Sequence, residues 1–227
     1  MSGTVGTLAV VATPIGNLED ITLRALRVLR ECDVVIAEDS RRTKALLTAH
    51  GVQRPVLSLP AFDERRRVPA LIERLDRGET LALCTDAGTP AISDPGAILV
   101  QAALAAGHRV TPIPGASALT AALAASGFTG NTFCFLGFLP RTPGKLVRIL
   151  EHALAEERTI AFFESPMRLA KTLRIATGVL GERPVVVARE LTKVHETMHR
   201  GTAASLVDEF TAHPPRGECT VLVGALP

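Results

Sequence analysis

Residues 80–107 read TLALCTDAGTPAISDPGAILVQAALAAG. TLALC (80–84) is a short apolar run, and a longer one, from Ala97 to Ala106, closes on Gly107. The first length suits a strand and the second a helix, and a glycine just past the last apolar residue is a common helix end. Between them, residues 85–96 hold two aspartates, two glycines and two prolines. Strand-to-helix loops usually take about 2–6 residues, so folding alone does not require this one. The stretch therefore reads as a strand, a loop built to hold a ligand, and a helix.

The same alternation continues in both directions. Strands are predicted over 7–14, 32–39, 55–59 and 108–115. One amphipathic helix is predicted over 17–31, with Leu18, Ile21, Ala25 and Leu29 on its apolar face. Another is predicted over RRTKALLTAH (41–50) with Gly51 just past its end, and a third carries Val68, Leu71, Ile72 and Leu75 and is closed by Gly78. Beyond a Pro/Gly segment, PIPGAS (112–117), come helices over 117–126, 143–156, 167–177 and 202–212. Strands are predicted there over 131–138, 158–163, 184–191 and 219–224, with a further one around 195–200. Strands alternating with helices imply an α/β fold with a parallel or mostly parallel sheet covered on both faces. The hinge-like segment divides the chain into halves of similar size, 1–114 and 115–227.

Composition narrows the class. The 227 residues are nearly half apolar, enough for a well-buried core. The N-terminal stretch MSGTVGTLAVVATP lacks a basic region and a long apolar run, so it reads as neither signal peptide nor membrane span. Net charge is only +2, too small to argue for nucleic acid by itself. Arginines do cluster, in RRTK (41–44) and ERRR (64–67). ERRR is explained as well by a solvated helix face. With no Trp and no Tyr, base stacking must use Phe, His or Arg, which argues against an aromatic-platform RNA module. Cys32, Cys84, Cys134 and Cys219 are widely spaced and border apolar runs, as buried thiols in a cytoplasmic protein do. HETMH (195–199) matches a zinc-site letter pattern, but its strand-like surroundings and the lack of a third ligand count against a metal.

In open α/β sheets, ligands bind outside the carboxyl ends of strands. Four loops occupy such ends: TPIGNLED (13–20), AEDSRRT (37–43), TDAGTPAISDPG (85–96) and PIPGAS (112–117). Gly88 lets a ligand approach the backbone. Asp86, at a strand end, suits ribose hydroxyls or an amine, or equally an Asx turn. Asp94 reads as an N-cap with Pro95 at the first helical position. A GxGxxG motif is absent after the first strand, and GFLPRTPGK (137–145) fails as a phosphate loop on spacing and on Leu146.

Seven segments together carry a resemblance: ATPIGNLEDIT (12–22), IAEDSRRT (36–43), CTDAGTPAISDPG (84–96), PIPGASA (112–118), FLGFLPR (135–141), FFESPMR (162–168) and ARELTK (188–193). In these the chain resembles the ribosomal RNA small subunit methyltransferase I family, within the tetrapyrrole-methylase-like class of S-adenosylmethionine enzymes. The resemblance implies 2′-O-methylation of a cytidine in the decoding region of 16S rRNA. It also implies a homodimer of subunits with two α/β domains of tetrapyrrole-methylase type and a ligand cleft between them. No metal is implied. The donor is expected at Asp86, Gly88 and Thr89, at Ser117 and Ala118, and at Glu164 and Thr220. TPIGN replaces the class's glycine-rich first loop and puts Pro14 and Ile15 at the donor.

A ribose hydroxyl is a poor nucleophile at neutral pH, so a carboxylate within reach of its proton would help. Glu38 and Asp39 are the first candidates for that base, although Asp39 or Ser40 equally suits a helix cap. Glu164 and Glu190 stand in reserve. Arg41, Arg42, Arg168 and Lys193 are candidates for RNA phosphates, and surface ion pairing accounts for each of them as well. Two other functions fit this architecture: methylation of a tetrapyrrole, and donor binding by an RNA-recognition protein without catalysis.

Overall fold

The computed structural model describes residues 5–225. Met1–Thr4, within the N-terminal stretch discussed above, lie outside the described residues. The chain packs as two compact units, Met1–Ser117 and Ala118–Pro227.

The first unit runs β1 (Thr7–Val11), α1 (Leu23–Glu31), β2 (Val34–Ala37), α2 (Ser40–Ala49), β3 (Val56–Ser58), α3 (Glu64–Asp76), β4 (Thr80–Cys84), α4 (Ala97–Ala105) and β5 (Arg109–Ile113). Its sheet has the order β3-β2-β4-β1-β5, and every pairing is parallel. Successive side chains point to opposite faces, so each strand feeds two cores. Leu8, Val34, Ile36, Leu81 and Leu83 pack with Val68, Leu71 and Leu75 of α3 and Leu99 of α4. Ala9, Val11, Val35, Ala82 and Cys84 pack with Ala25 and Leu29 of α1 and Leu47 of α2.

This division of helices follows from strand order. From β1 the chain moves toward β3 through α1 and α2, then returns toward β5 through α3 and α4. Right-handed crossovers place helices on opposite faces when the direction reverses. The reversal leaves β1 and β4 as neighbours whose following segments diverge to opposite faces, which is where open α/β sheets form their crevice.

The second unit runs α5 (Ala118–Ser126), β6 (Phe133–Phe138), α6 (Pro143–Leu154), β7 (Thr159–Glu164), α7 (Pro166–Leu180), β8 (Val185–Arg189), β9 (Thr197–Gly201), α8 (Ala203–Ala212) and β10 (Cys219–Val223). Its sheet order is β6-β7-β10-β8-β9. Here the expected parallel sheet gives way to a mixed one. Only β6 and β7 are parallel, whereas β10 runs antiparallel to β7 and β8, and β9 antiparallel to β8. A continuous apolar run such as CTVLV marks a buried strand but not its direction. Helices α6, α7 and α8 cover one face, and Leu119, Ala122 and Leu123 of α5 pack on the other.

Two local expectations are corrected. The helix over 17–31 is broken in two. Asn17 caps a 3-10 turn, Leu18–Asp20, and the Thr22 side chain accepts from the Ala25 N–H to start α1 afresh. Leu18 is therefore exposed rather than on an apolar face. The second correction concerns α4, which Asp94 and Pro95 do not cap. Gly96 is the cap residue, with φ +123, and contributes no side chain. The carboxylate of Glu64, from the first turn of α3 and only 5% exposed, takes its place. Its Oε1 accepts the N–H groups of Gly96, Ile98 and Leu99 at 3.1, 3.0 and 3.1 Å. A carboxylate also complements the positive end of the helix.

Glu64→Ala leaves three N–H groups, two of them buried, without an acceptor. It is expected to cost about 3 kcal/mol in chemical denaturation. Glu64→Gln keeps the acceptor without the charge and should lose less than half of that.

Candidate functional site

The carboxyl ends of β2, β4, β1 and β5 lie side by side in the first sheet. The segments leaving β1 and β4 are joined just beyond the strands. Thr13 N–H donates to Gly88 O at 2.9 Å, and Gly88 N–H donates to Thr13 O at 3.0 Å. The pairing is an isolated antiparallel bridge. The Thr13 hydroxyl adds a bond to Thr85 O at 3.1 Å. Gly88 adopts φ +85, which favours glycine. A β-carbon there would sit 3.5 Å from Ile15 Cγ2, so the buried Pro14–Ile15 segment packs beside it. At the end of β5, a β-carbon on Gly115 would meet the Ala12 β-carbon at 3.0 Å. The Thr89 hydroxyl reaches Ala116 O at 3.5 Å, which ties the β4 loop to the segment ending in Ser117. The result is a floor of small side chains and closely packed backbone.

Carboxylates line one side of this floor. Glu38, directly after β2, accepts the Thr85 hydroxyl on Oε2 at 2.8 Å and the Asp86 N–H at 3.4 Å. In return, Asp86 Oδ1 accepts the Asp39 N–H at 3.1 Å. Asp86 Oδ2 lies 3.5 Å from Arg42 Nε. Burial pushes the Asp86 carboxyl above its usual range, and the charges of Glu38 and Asp39 push the same way, against the Asp39 N–H bond and Arg42. Asp39 is different. It caps α2 through the Arg41 N–H at 2.9 Å and pairs with the Arg41 guanidinium at 2.7 Å. The Arg41 hydrogen bonds hold it down to about 2.

The remaining site candidates belong to the second unit. Ala118 opens α5. Glu164 ends β7 with its side chain fully enclosed. It accepts Ser165 N–H at 2.8 Å and the Thr172 hydroxyl at 2.6 Å, and Arg168 lies 3.3 Å away. Arg168 also donates to Leu139 O at 3.0 Å. Thr220 is buried in β10, opposite Phe163 of β7. Lys193 bridges Glu190 and Glu218 at 2.7 Å each. Burial works against its charge, but the two carboxylates outweigh that and raise its pKa. Glu190 and Thr192 in the same turn have φ +53 and +68.

Three contributors were not singled out from sequence: Thr13 and Thr85, whose hydroxyls close the rim, and Gly115. Each lies inside a motif whose other residues drew attention, and their position directly after a strand was the available signal. Among the described residues, no group of three or more His, Cys, Asp or Glu could hold a metal ion. His199, in HETMH, is engaged instead with Glu209 at 2.6 Å and Thr197 at 3.0 Å.

The sequence pattern of the tetrapyrrole (corrin/porphyrin) methylases matches residues 7–207. The chain belongs to this family. Ribosomal RNA small subunit methyltransferase I of Thermotoga maritima is 45% identical, over 96% of this chain and 98% of that protein. The protein of the same name from Xylella fastidiosa is 48% identical, over 97% of this chain and 82% of that protein. Among solved structures, diphthine synthase superposes with a TM-score of 0.76 at 17% identity, covering 96% of this chain and 90% of that one. A cobalamin biosynthetic enzyme, cobalt precorrin-4 methyltransferase, gives 0.71 at 23% identity, covering 96% and 94%. At such identities the likeness concerns the fold. Among tetrapyrrole methylases this chain carries TPIGN after its first strand, and the small-residue floor comes from Ala12, Gly88 and Gly115.

Asp86→Asn keeps an acceptor for the Asp39 N–H and removes a partly desolvated charge beside Glu38. The raised pKa means that the charged form burdens the folded state. The burden is absent below the unfolded-chain pKa and grows as pH rises through the folded one. Thermal unfolding at pH 7 should therefore stay within about 2 °C of wild type or rise. The wild type should gain on the variant as the pH falls into the carboxylate range.

Proposed function

We propose that this methylase transfers a methyl group from S-adenosylmethionine to the ribose 2′-oxygen of a cytidine in 16S rRNA. The observation that carries this reading is the near full-length identity to ribosomal RNA small subunit methyltransferase I proteins, 45% with almost no unmatched chain on either side. The rim geometry supports it. Gly115, exposed beyond β5, puts no side chain over the rim, and Asp86 presents a carboxylate to a ribose diol or an ammonium group. These features fit the donor. Pro14, Ile15, Thr89, Ser117 and Ala118 would line its surroundings, whereas Glu164 is enclosed by Ser165, Thr172 and Arg168 and Thr220 is buried in β10, so neither is proposed as a donor contact.

S-adenosylmethionine, when bound, supplies a methyl group already activated on a positive sulfur. The protein's task is then mainly orientation, which can supply roughly 7–11 kcal/mol in favourable cases. The substrate hydroxyl must lose its proton. Glu38 is the better placed base, because Thr85 and the Asp86 N–H both engage Oε2 and fix the carboxylate while leaving Oε1 for the substrate. Asp39, held near 2 by Arg41, is a weak base and acts as a positioning residue for α2. Arg41 and Arg42 are exposed beside it and would meet phosphates. Arg168 and Lys193 would need to exchange internal partners to do so. The enzyme is proposed to work in the cytoplasm as a homodimer on rRNA or the small subunit.

Incubation with labelled donor and small ribosomal subunits should place one methyl on a cytidine 2′-oxygen, mapped by mass spectrometry of nuclease fragments. Methylation of a porphyrinogen with none on subunits would contradict the reading. Glu38→Gln should keep donor affinity and lose about 10²–10⁴-fold in kcat. Asp39→Asn should lose less.

A further inference from the structure

The chain has eight phenylalanines and no other large aromatic residue. Seven lie in the second unit, and Phe62 is the only one in the first. Phe62 takes no part in that unit's two cores and is 92% exposed. It stands on a 3-10 turn, Ala61–Asp63, directly after β3 and therefore on the carboxyl rim of the sheet. Single exposed apolar side chains need no explanation in general. This one differs in what holds it and what surrounds it.

The turn is fixed rather than loose. Leu59 is buried and donates its N–H to Ala37 O at 2.6 Å, and the Ser58 hydroxyl reaches Glu38 O at 3.4 Å. Asp63 accepts Arg66 and Arg67, each at 2.6 Å, and Arg67 donates to Ser58 O at 2.9 Å. The two arginines hold the Asp63 carboxyl far below its usual range. One carboxylate thus answers two guanidinium groups, while the neighbouring Glu64 is turned inward to α4. Arg65 is exposed and makes no hydrogen bond or ion pair among the described residues. The ring is presented among excess positive charge, tied through Leu59 to the last residue of β2 and through Ser58 to Glu38 just beyond it. β3 and β4 flank β2, so the β3 and β4 rims are about two strand spacings, roughly 10 Å, apart.

We propose that Phe62, with Arg65 and the Arg66–Arg67 pair beside it, is a stacking platform for a nucleobase of the RNA near the nucleotide being methylated. The inference rests on the reading of the chain as an rRNA methyltransferase. An aromatic face accepts any base, arginines hold the flanking phosphates, and a fixed turn loses little entropy on binding. ERRR is then part of the substrate surface rather than only a solvated helix face.

The test is steady-state methylation of small ribosomal subunits by wild type and by Phe62→Ala, Phe62→Leu and Phe62→Trp. Stacking losses per base correspond to roughly 5–150-fold. Ala and Leu should raise KM within that range with little change in kcat, and with donor affinity and melting temperature unaltered. Trp should restore or lower KM. Arg65→Gln should reduce the slope of log affinity against log salt by about one. A wild-type KM in Ala or Leu overturns the platform, as does recovery by Leu alone, which would mean plain apolar contact. If wild type fails to methylate subunits, the functional reading fails instead. The platform is then judged by fluorescence anisotropy with a single-stranded RNA oligonucleotide, where unchanged binding by Phe62→Ala overturns it.

Discussion

Two backbone hydrogen bonds between Thr13 and Gly88 organise the first unit's rim. They join the segments that leave β1 and β4, neighbours whose following helices lie on opposite faces of the sheet. Without a tie, such segments would separate as they leave the sheet, and the backbone groups at the crevice would turn to water. The bridge keeps them together for one more pairing. Glycine is needed at position 88 because the backbone there takes φ +85. Everything proposed for the site depends on this point: the direction of Asp86, the packing of Ile15, and the close approach of Gly115 to Ala12.

The rim gathers three carboxylates that would repel one another if left to themselves. Glu38 is held by a hydroxyl and a backbone N–H, Asp39 by the start of α2 and by Arg41, and Asp86 by a backbone N–H with Arg42 alongside. The environments of Asp39 and Asp86 differ, so the proton affinities of these two separate. Asp39 is held low, whereas Asp86 is pushed up by burial. Such divergence among adjacent acids is common where chemistry is done. In the second unit, Glu164 has the opposite character. It is enclosed and shared between Ser165, Thr172 and Arg168, which makes it an anchor for the turn after β7.

Sequence and structure agree best where local pattern is sufficient. The strand expected over 80–84 is β4, Thr80–Cys84, and the glycines at 51, 78 and 107 follow their helices with positive φ. Placing the four loops at strand ends was enough to find the rim. Three features were hidden for physical reasons. The cap of α4 comes from Glu64, more than thirty residues earlier, and no local pattern records a contact of that span. The antiparallel course of β10 leaves no trace in CTVLV, because a doubly buried strand reads alike in both directions. The break before Thr22 was masked by apolar spacing that fits one helix, while two short polar side chains chose two.

The bridge itself is best tested by amide hydrogen exchange, resolved by NMR on the free protein. The Thr13 and Gly88 amides should exchange as slowly as interior amides of β1 and β4, since they open only with the sheet. Exchange of either at the rate of an exposed loop amide such as Ser93 would contradict the account, for the rim would then have no fixed floor on which to place a ligand.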